Sequence, residues 1–110
     1  MPSPITTHVL DTAQGKPAPG VNIKLFYETE PLQWLVLGEG QTNSDGRLPS
    51  LLPDDHALAK GRYKMTFNTG GYQKGFYPYV DVVFEITETG QHYHIPLLLS
   101  PYGYSTYRGS

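Results

Sequence analysis

The sequence predicts an all-β domain, an antiparallel sandwich or barrel built from seven or eight short strands. Residues 21–25, 62–68 and 80–86 alternate between apolar and polar types with a period of two. Such alternation is typical of strands that bury one face and solvate the other. Glycine and proline supply 12 and 10 of the 110 residues, a fifth of the chain against about 12% in average proteins.

Turn-forming residues set the limits of each predicted strand. A segment with two prolines at 15–20 ends the first strand, Ser44-Asp45-Gly46 follows the third, and Thr89-Gly90 precedes the strand that starts near residue 92. Pro101 then separates the last two strands. The candidate strands in chain order are residues 5–11, 21–25, 33–42, 62–68, 80–86, 93–100 and 102–108.

Little of the chain predicts helix. Residues 54–60 and 72–76 are each long enough for one helical turn, and no helical periodicity extends beyond them. Gly70 and Gly71 disfavour a longer helix in the segment between Thr69 and Val80. We therefore expect at most one short helix or helical turn.

Length and composition restrict the possible partners and compartments. With 110 residues, the chain predicts a single domain over 1–110, and a charged fraction of 16% is too low for a disordered protein. A net charge of −2 gives no cationic surface for nucleic acid, and no apolar run reaches the ~20 residues that cross a bilayer. No secretory signal is visible, so we expect a cytoplasmic protein, or a periplasmic one if a signal peptide has been removed.

Histidine is the residue type best suited to chemistry in this chain. The absence of cysteine excludes disulfides, thiolate nucleophiles and cysteine metal sites, whereas histidine exchanges protons near neutral pH. His56 lies in a polar turn and is expected to be solvated. His8, His92 and His94 lie on predicted strands. They offer three nitrogen ligands for zinc, but no fourth ligand or supporting carboxylate accompanies them, so no metal is expected.

The strand that begins after His92 carries an apolar residue on its outer face. Alternation places His92, His94 and Leu98 on one face and the large apolar residues on the other. An apolar side chain beside two histidines favours a face that is covered by another subunit. A single exposed leucine is also common in monomers, so this alternative stays open.

Two further segments carry groups that recognise polar ligands. Arg47 follows the tight turn at residues 43–46, and its guanidinium is suited to an oxyanion or a carbonyl–amide edge. A solvated arginine beside Asp45 is the plainer interpretation. The C-terminal residues 107–110 directly follow a tyrosine-rich strand, which favours a docked segment over a frayed one.

Five segments together resemble one known family, the 5-hydroxyisourate hydrolases, also called transthyretin-like proteins. The resemblance spans Ile5 to Ser110, and its most specific part is the terminal Tyr-Arg-Gly-Ser, which separates the hydrolases from the hormone carrier transthyretin. The segments are THVLDT at 7–12, GKPAPGV at 15–21, TNSDGR at 42–47, HYHIPLLLSP at 92–101 and YSTYRGS at 104–110.

The resemblance implies a fold and an assembly. The fold is a prealbumin-like antiparallel sandwich of two four-stranded sheets with one short helix. The segment between Thr69 and Val80 looks shorter than is usual for this family, which leaves room for a smaller helix. Four chains would form a homotetramer, a dimer of dimers, with the active sites in a central channel.

The resemblance also implies a reaction and a set of site residues. The substrate would be a small purine-derived molecule, 5-hydroxyisourate, hydrolysed to 2-oxo-4-hydroxy-4-carboxy-5-ureidoimidazoline in urate degradation, with no cofactor or metal. The implied catalytic residues are His8, Arg47, His94 and Tyr107. The implied substrate-binding residues are His8, Arg47, Tyr107, Arg108, Gly109 and Ser110.

Two other functions fit a domain of this kind. A transthyretin-type carrier without catalytic activity would use the same scaffold to bind aromatic ligands. A carrier of apolar hormones needs small aliphatic and hydroxyl side chains in its channel, whereas His8, Arg47 and Arg108 are polar. A structural interaction module is the third candidate, and it leaves the histidines and Arg47 without a role.

Overall fold

Two four-stranded sheets form the protein, and the structure, a computed structural model, describes residues 3–109. Strands run in the orders β2-β1-β7-β8 and β4-β3-β5-β6. The prediction of a sandwich with two four-stranded sheets and one short helix is confirmed. The elements are β1 (Ile5–Asp11), β2 (Lys16–Pro17), β3 (Asn22–Glu30), β4 (Gln33–Gln41), β5 (Gly61–Phe67), α1 (Thr69–Tyr72), β6 (Val80–Ile86), β7 (Tyr93–Ser100) and β8 (Gly103–Thr106).

One strand pair departs from the antiparallel pattern. β1 and β7 run parallel, with Ile5 opposite Tyr93 and Asp11 opposite Leu99, while every other pair among the described strands is antiparallel. Parallel neighbours need a long connection, and here the connection contains all of the second sheet. Residues from the two ends of the chain are thereby placed side by side.

The period-two alternation translates directly into burial. In β1, Ile5 and Val9 are fully buried between the sheets, while Thr6 and His8 lie half-buried on the outer face. β7 follows the predicted alternation except at Pro96, which is expected on the outer face and is buried. Its inward side chains are Tyr93, Ile95, Leu97 and Leu99.

Leu98 lies half-buried on the outer face of the first sheet, together with His94. Neighbours within the same chain therefore cover part of this side chain. The remainder faces outward from a sheet whose outer surface also carries His8 and Thr6. The expectation that another subunit covers this face remains a prediction.

The helix is short and sits at a different position from the two predicted turns. Neither 54–60 nor 72–76 forms a helix; α1 spans the four residues Thr69–Tyr72. Asn68 caps it by accepting a hydrogen bond from the Gly71 amide at 3.1 Å. Gly70 lies so close to the next segment that a Cβ would be 2.8 Å from the Pro78 carbonyl oxygen. Within residues 3–109 no helix has the length and apolarity needed to cross a bilayer.

A buried hydrogen-bond pair joins α1 to the first sheet. The Asp11 side chain is 1% exposed and accepts from the Tyr72 hydroxyl at 2.7 Å and from the Gln14 amide at 3.0 Å. Burial, followed by the hydrogen bond and the charge of Asp11, raises the pKa of Tyr72 to about 12. The phenol therefore stays protonated and remains a donor to the carboxylate.

Candidate active site

His8 and Arg47 are brought together by a turn that closes against β1. The two residues form an antiparallel bridge, and the Val9 amide donates to the Gly46 carbonyl at 2.8 Å. Gly46 has a φ of +74°, and a Cβ there would collide with the Val9 carbonyl oxygen. Only glycine fits this close approach, so the sequence Asp45-Gly46-Arg47 fixes where the arginine meets the strand.

The Asn43 side chain shapes the same turn from inside. Its Oδ1 accepts from the Asp45 amide at 2.9 Å and from the Arg47 amide at 3.1 Å. An asparagine that bonds to the following backbone in this way is a common turn device. The result is a backbone that holds Arg47 in place before any ligand is bound.

The parallel pairing of β1 and β7 brings Thr6 next to His94. The Thr6 hydroxyl lies 2.8 Å from His94 Nδ1 and 3.0 Å from His92 Nε2, within hydrogen-bond distance of both rings. The two imidazoles lie 6.5 Å apart with an interplanar angle of 18°. One hydroxyl therefore connects the two histidines.

These side chains border a cavity of about 270 Å³ at one end of the first sheet. Its charged and titratable lining is Arg47, His92 and His94, and His8 joins the group through its pairing with Arg47. A larger cavity of about 540 Å³ lies on the outer face of the second sheet. It contains neither histidine nor arginine, so the chemistry favours the smaller cavity as the active site.

Burial and positive charge lower the pKa of His8 and His94, which favours their neutral forms. Burial, followed by the charge of Arg47, lowers the pKa of His8; hydrogen bonding to the Asp45 backbone and the Asp45 charge oppose this. Burial, then Arg47, His92 and His8, lowers the pKa of His94. A neutral imidazole has a free nitrogen that accepts a proton, so both residues suit general-base catalysis at neutral pH.

The C-terminal segment docks beside His94. β8 ends opposite Leu97, where the next residue of β7 is Pro96, which has no amide to continue the ladder. The ladder resumes at a bridge between His94 and Gly109, and the Gly109 amide donates to the His94 carbonyl at 2.8 Å. A Cβ on Gly109 would be 2.6 Å from His94 Cδ2, so the chain there rests directly on the imidazole.

Arg108 anchors this segment. Its guanidinium donates to Gln91 Oε1 at 2.7 Å and stacks over the Tyr93 ring at 4.5 Å. Gln91 directly precedes His92, and Tyr93 lies between His92 and His94 in the sequence. In this single chain Arg108 therefore fixes the segment that reaches His94.

Tyr107 lies apart from the His8–Arg47 pair. Its side chain is 60% exposed and borders a second cavity of about 300 Å³, which it shares with His94 and Arg108. The structure thus brings His8, Arg47, His94 and Gly109 together and leaves the ring of Tyr107 facing outward. Ser110, the last predicted binding residue, lies outside the described residues.

Two residues of this cluster escape reasoning from sequence alone. Thr6 belongs to no motif, and the sequence suggests a role for His92 only as a zinc ligand. Only the pairing of β1 with β7 shows that the threonine lies between the histidines. The usable signal is the alternation in β1, which places Thr6 on the same face as His8. In the part of the chain that the structure describes, no three His, Asp or Glu side chains gather to hold a metal ion.

Comparison with known proteins agrees with the resemblance. Over 114 aligned residues the chain is 51% identical to the 5-hydroxyisourate hydrolase of Mus musculus, with 98% of this chain and 96% of the relative covered. The solved structure of Klebsiella pneumoniae 5-hydroxyisourate hydrolase superposes with a TM-score of 0.82 at 35% identity, over 96% of this chain and 97% of that one.

A transthyretin is also similar in structure. Sea bream transthyretin, solved in complex with thyroxine, gives a TM-score of 0.88 at 29% identity over 96% of this chain and 94% of that one. Residues 5–109 match the model of the HIUase/Transthyretin family. Since the match spans both sheets and the whole candidate site, the chain belongs to the HIUase/Transthyretin family, as its motifs indicated.

Proposed function

We propose that this protein hydrolyses 5-hydroxyisourate to 2-oxo-4-hydroxy-4-carboxy-5-ureidoimidazoline, a step of urate degradation, by histidine-assisted attack of water. The observation that carries the proposal is the group formed by His8, Arg47 and His94 around one cavity, with the pKa of both histidines lowered. The curated relatives named 5-hydroxyisourate hydrolase, at 43–51% identity, support the substrate.

The reaction cleaves a ring acyl–nitrogen bond. A neutral imidazole, that of His8 or His94, takes a proton from water while the water oxygen bonds to the ring carbonyl carbon. As the tetrahedral intermediate collapses, the carbon–nitrogen bond breaks and the protonated imidazole returns the proton to the leaving nitrogen. General-base help of this kind contributes about 10²–10⁴-fold to the rate.

Arg47 serves the same reaction in two ways. Its guanidinium would hold the carbonyl edge of the substrate and stabilise the negative charge that develops on oxygen, an effect of about 10²–10³-fold. Its charge also lowers the pKa of His8 and His94. The residue that stabilises the oxyanion therefore also keeps the bases unprotonated.

The C-terminal segment completes the site in this proposal. Gly109 packs on the His94 ring, and Arg108 secures the segment through Gln91 and Tyr93. The Tyr107 hydroxyl would hold the water or relay its proton. Arg108, Gly109 and Ser110 shape the pocket for the substrate. No cofactor enters this scheme.

We also propose that four chains assemble as a dimer of dimers, with the active sites in a channel between them. Half-buried Leu98 on the outer face of the first sheet supports such a contact. The two sheets end in β6 and β8, whose outer edges lack a strand partner within the described part of the chain. Val83 and Tyr104 are exposed on these edge strands, and such edges favour pairing with another chain.

The test is the ultraviolet decay of freshly generated 5-hydroxyisourate with wild-type protein and two variants. His8→Ala and Arg47→Ala are expected to fold normally and to lose turnover by at least about 10²-fold. His56→Ala, in the loop between β4 and β5, is the matched control and should retain full activity. Full activity in either site variant would refute the assignment of these residues.

The carrier alternative predicts a different result in the same assay. A carrier would leave the decay of 5-hydroxyisourate unchanged in every sample, wild type included. It would instead bind an aromatic ligand such as thyroxine, with which the sea bream transthyretin forms a complex. The polar lining by Arg47, His92 and His94 favours the hydrolase.

A further inference from the structure

The Thr6 hydroxyl bridges His92 Nε2 and His94 Nδ1 at 3.0 and 2.8 Å. His92 is exposed to solvent and His94 is half-buried at the cavity. The bridge therefore runs from the solvent, through one hydroxyl group, to the imidazole that faces the substrate. Nothing in the hydrolysis scheme above uses Thr6 or His92.

A threonine hydroxyl donates one hydrogen bond and accepts up to two, so Thr6 either accepts from both rings or donates to one ring and accepts from the other. The second case gives two chained arrangements. When Thr6 donates to His92 Nε2, His94 must donate from Nδ1, and its Nε2 is then a free base. When His92 donates from Nε2, Thr6 donates to His94 Nδ1, and the His94 proton is then on Nε2, ready to be given away. The direction of the chain thus decides whether His94 acts as a base or as an acid.

We propose that Thr6 and His92 are positioning residues that set and switch the tautomer of His94 through this hydroxyl bridge. The inference rests on the proposed function, because it assigns His94 the proton transfers of the hydrolysis. It goes further in giving His94 both transfers and in naming the group that holds the proton between them.

Every proton that moves in one catalytic cycle is accounted for. His94 Nε2 takes a proton from the attacking water, His94 Nδ1 passes its proton to Thr6 Oγ1, and Thr6 passes its own proton to His92 Nε2. His94 is then neutral with its proton on Nε2, and His92 carries the positive charge. When His94 Nε2 gives its proton to the leaving nitrogen, His92 Nε2 returns a proton to Thr6 Oγ1 and Thr6 passes its own proton to His94 Nδ1, which restores the starting state.

The surroundings favour moving the charge outward. The charged groups that lower the pKa of His94 are Arg47, His92 and His8, and Glu85, Tyr107 and Arg108 border the second cavity beside it. Burial and the Arg47 charge both disfavour an imidazolium at His94 and lower its pKa. His92 is exposed, where water solvates a cation. A relay therefore avoids holding a second positive charge beside Arg47 during the reaction.

The test combines kinetics with ¹⁵N NMR of the two imidazoles in the full-length protein without substrate. Thr6→Val keeps the shape of the side chain and removes the hydroxyl, and Thr6→Ser keeps the hydroxyl. Thr66→Val, which removes a threonine hydroxyl from the second sheet, is the matched control. We expect Thr6→Val to lower kcat about 10–100-fold, by analogy with the loss of a hydrogen-bond partner of a metal-bound histidine, with KM little changed. Thr6→Ser and Thr66→Val should stay near wild type.

The NMR spectra separate this inference from the proposed function. In the wild type, at alkaline pH, the relay requires the two rings to share one tautomer, because each chained arrangement protonates both on Nδ1 or both on Nε2. Thr6→Val should abolish that correlation. The relay would be overturned if Thr6→Val had the kcat of the wild type. It would also be overturned if the tautomers of His92 and His94 were the same in Thr6→Val as in the wild type. A wild-type protein without hydrolase activity would overturn the proposed function instead.

Discussion

At the scale of single residues, the proposed active site depends on two histidines whose neutral form is favoured by their surroundings. Burial and the Arg47 guanidinium lower the pKa of both His8 and His94 from the usual value of 6.5. A lowered pKa means that the neutral, basic form persists to lower pH. The same guanidinium that would bind the oxyanion thus extends the acidic range over which the bases work.

This gives a pH profile for the wild-type enzyme. As pH falls, the midpoint of the decline in kcat/KM should lie below 6.5, because the free enzyme loses activity as His8 and His94, whose pKa values are lowered, become protonated. The measurement is the initial rate of 5-hydroxyisourate loss at low substrate, corrected for spontaneous decay at each pH. An acidic midpoint at or above 6.5 would contradict neutral histidines held by burial and Arg47.

Gly109 supplies a second test at this scale. In Gly109→Ala the new Cβ would lie 2.6 Å from His94 Cδ2, so the ring or the C-terminal segment must move. A displacement of ~1 Å in a catalytic group can cost about 10²-fold in rate, and we expect a loss of that order in kcat with the melting temperature little changed. Gly90→Ala is the matched control, since nothing lies within 4 Å of its new Cβ. Equal activity in the two variants would show that the segment does not position His94.

At the scale of elements, α1 and β1 depend on a buried carboxylate. In Tyr72→Phe the Asp11 side chain, which is 1% exposed, keeps the Gln14 amide and loses the phenol. Leaving a buried acceptor short of a partner costs about 1–3 kcal/mol, and thermal denaturation should show a melting temperature lowered by several degrees. Tyr79→Phe, on an exposed tyrosine, should leave it unchanged.

The alkaline side of the stability curve tests the same pair. The pKa of Tyr72 is raised to about 12 from 10.0, so the bond to Asp11 stabilises the fold fully below pH 10 and is lost as pH rises from 10 through 12. Denaturant titrations of wild type and Tyr72→Phe should therefore converge over this interval. A difference that stays constant to pH 12 would mean that the phenol does not titrate as expected.

The elements also show what sequence reasoning captures. The bounds of β1 and β7, Ile5–Asp11 and Tyr93–Ser100, follow from the sequence, because alternation and turn residues are local signals. Their faces follow as well, except at Pro96, which is buried. β2, only Lys16–Pro17, is too short to show a period, and its residues predict a turn instead. The predicted helical turns were wrong in position, because Asn68 provides a cap and the contact of Gly70 with Pro78 is tertiary.

Site residues that belong to a sequence motif can be predicted, whereas residues brought to the site only by strand pairing cannot. His8, Arg47 and His94 follow from segments whose residues resemble a family. Thr6 does not, since its place between two histidines arises from the parallel register of β1 and β7, which is non-local. Tyr107 is expected in the site, and its outward ring in one chain leaves that role as a prediction for the assembly.

At the scale of the whole molecule, we expect the outer face of the first sheet to form the interface of the proposed tetramer. Light scattering of the wild type should give four times the 12.3 kDa of one chain. Leu98→Glu places a charge on the half-buried outer position of β7, and an unpaired charge in a subunit interface is costly. We expect this variant to give a smaller assembly with reduced activity.

Leu35→Glu is the matched control for that substitution. Leu35 is 53% exposed on β4, the edge strand of the other sheet, so the same chemical change should leave mass and activity unaltered. A monomeric wild type, or Leu98→Glu with the mass of the wild type, would refute an interface on the first sheet.

The most direct test of the hydrolase assignment is the decay of freshly prepared 5-hydroxyisourate, followed by ultraviolet absorbance at several concentrations of purified protein. A hydrolase built on His8, Arg47 and His94 predicts that the first-order decay rate rises in proportion to protein concentration and that the ureidoimidazoline product accumulates. Decay at the rate of buffer alone, at every protein concentration, would contradict it.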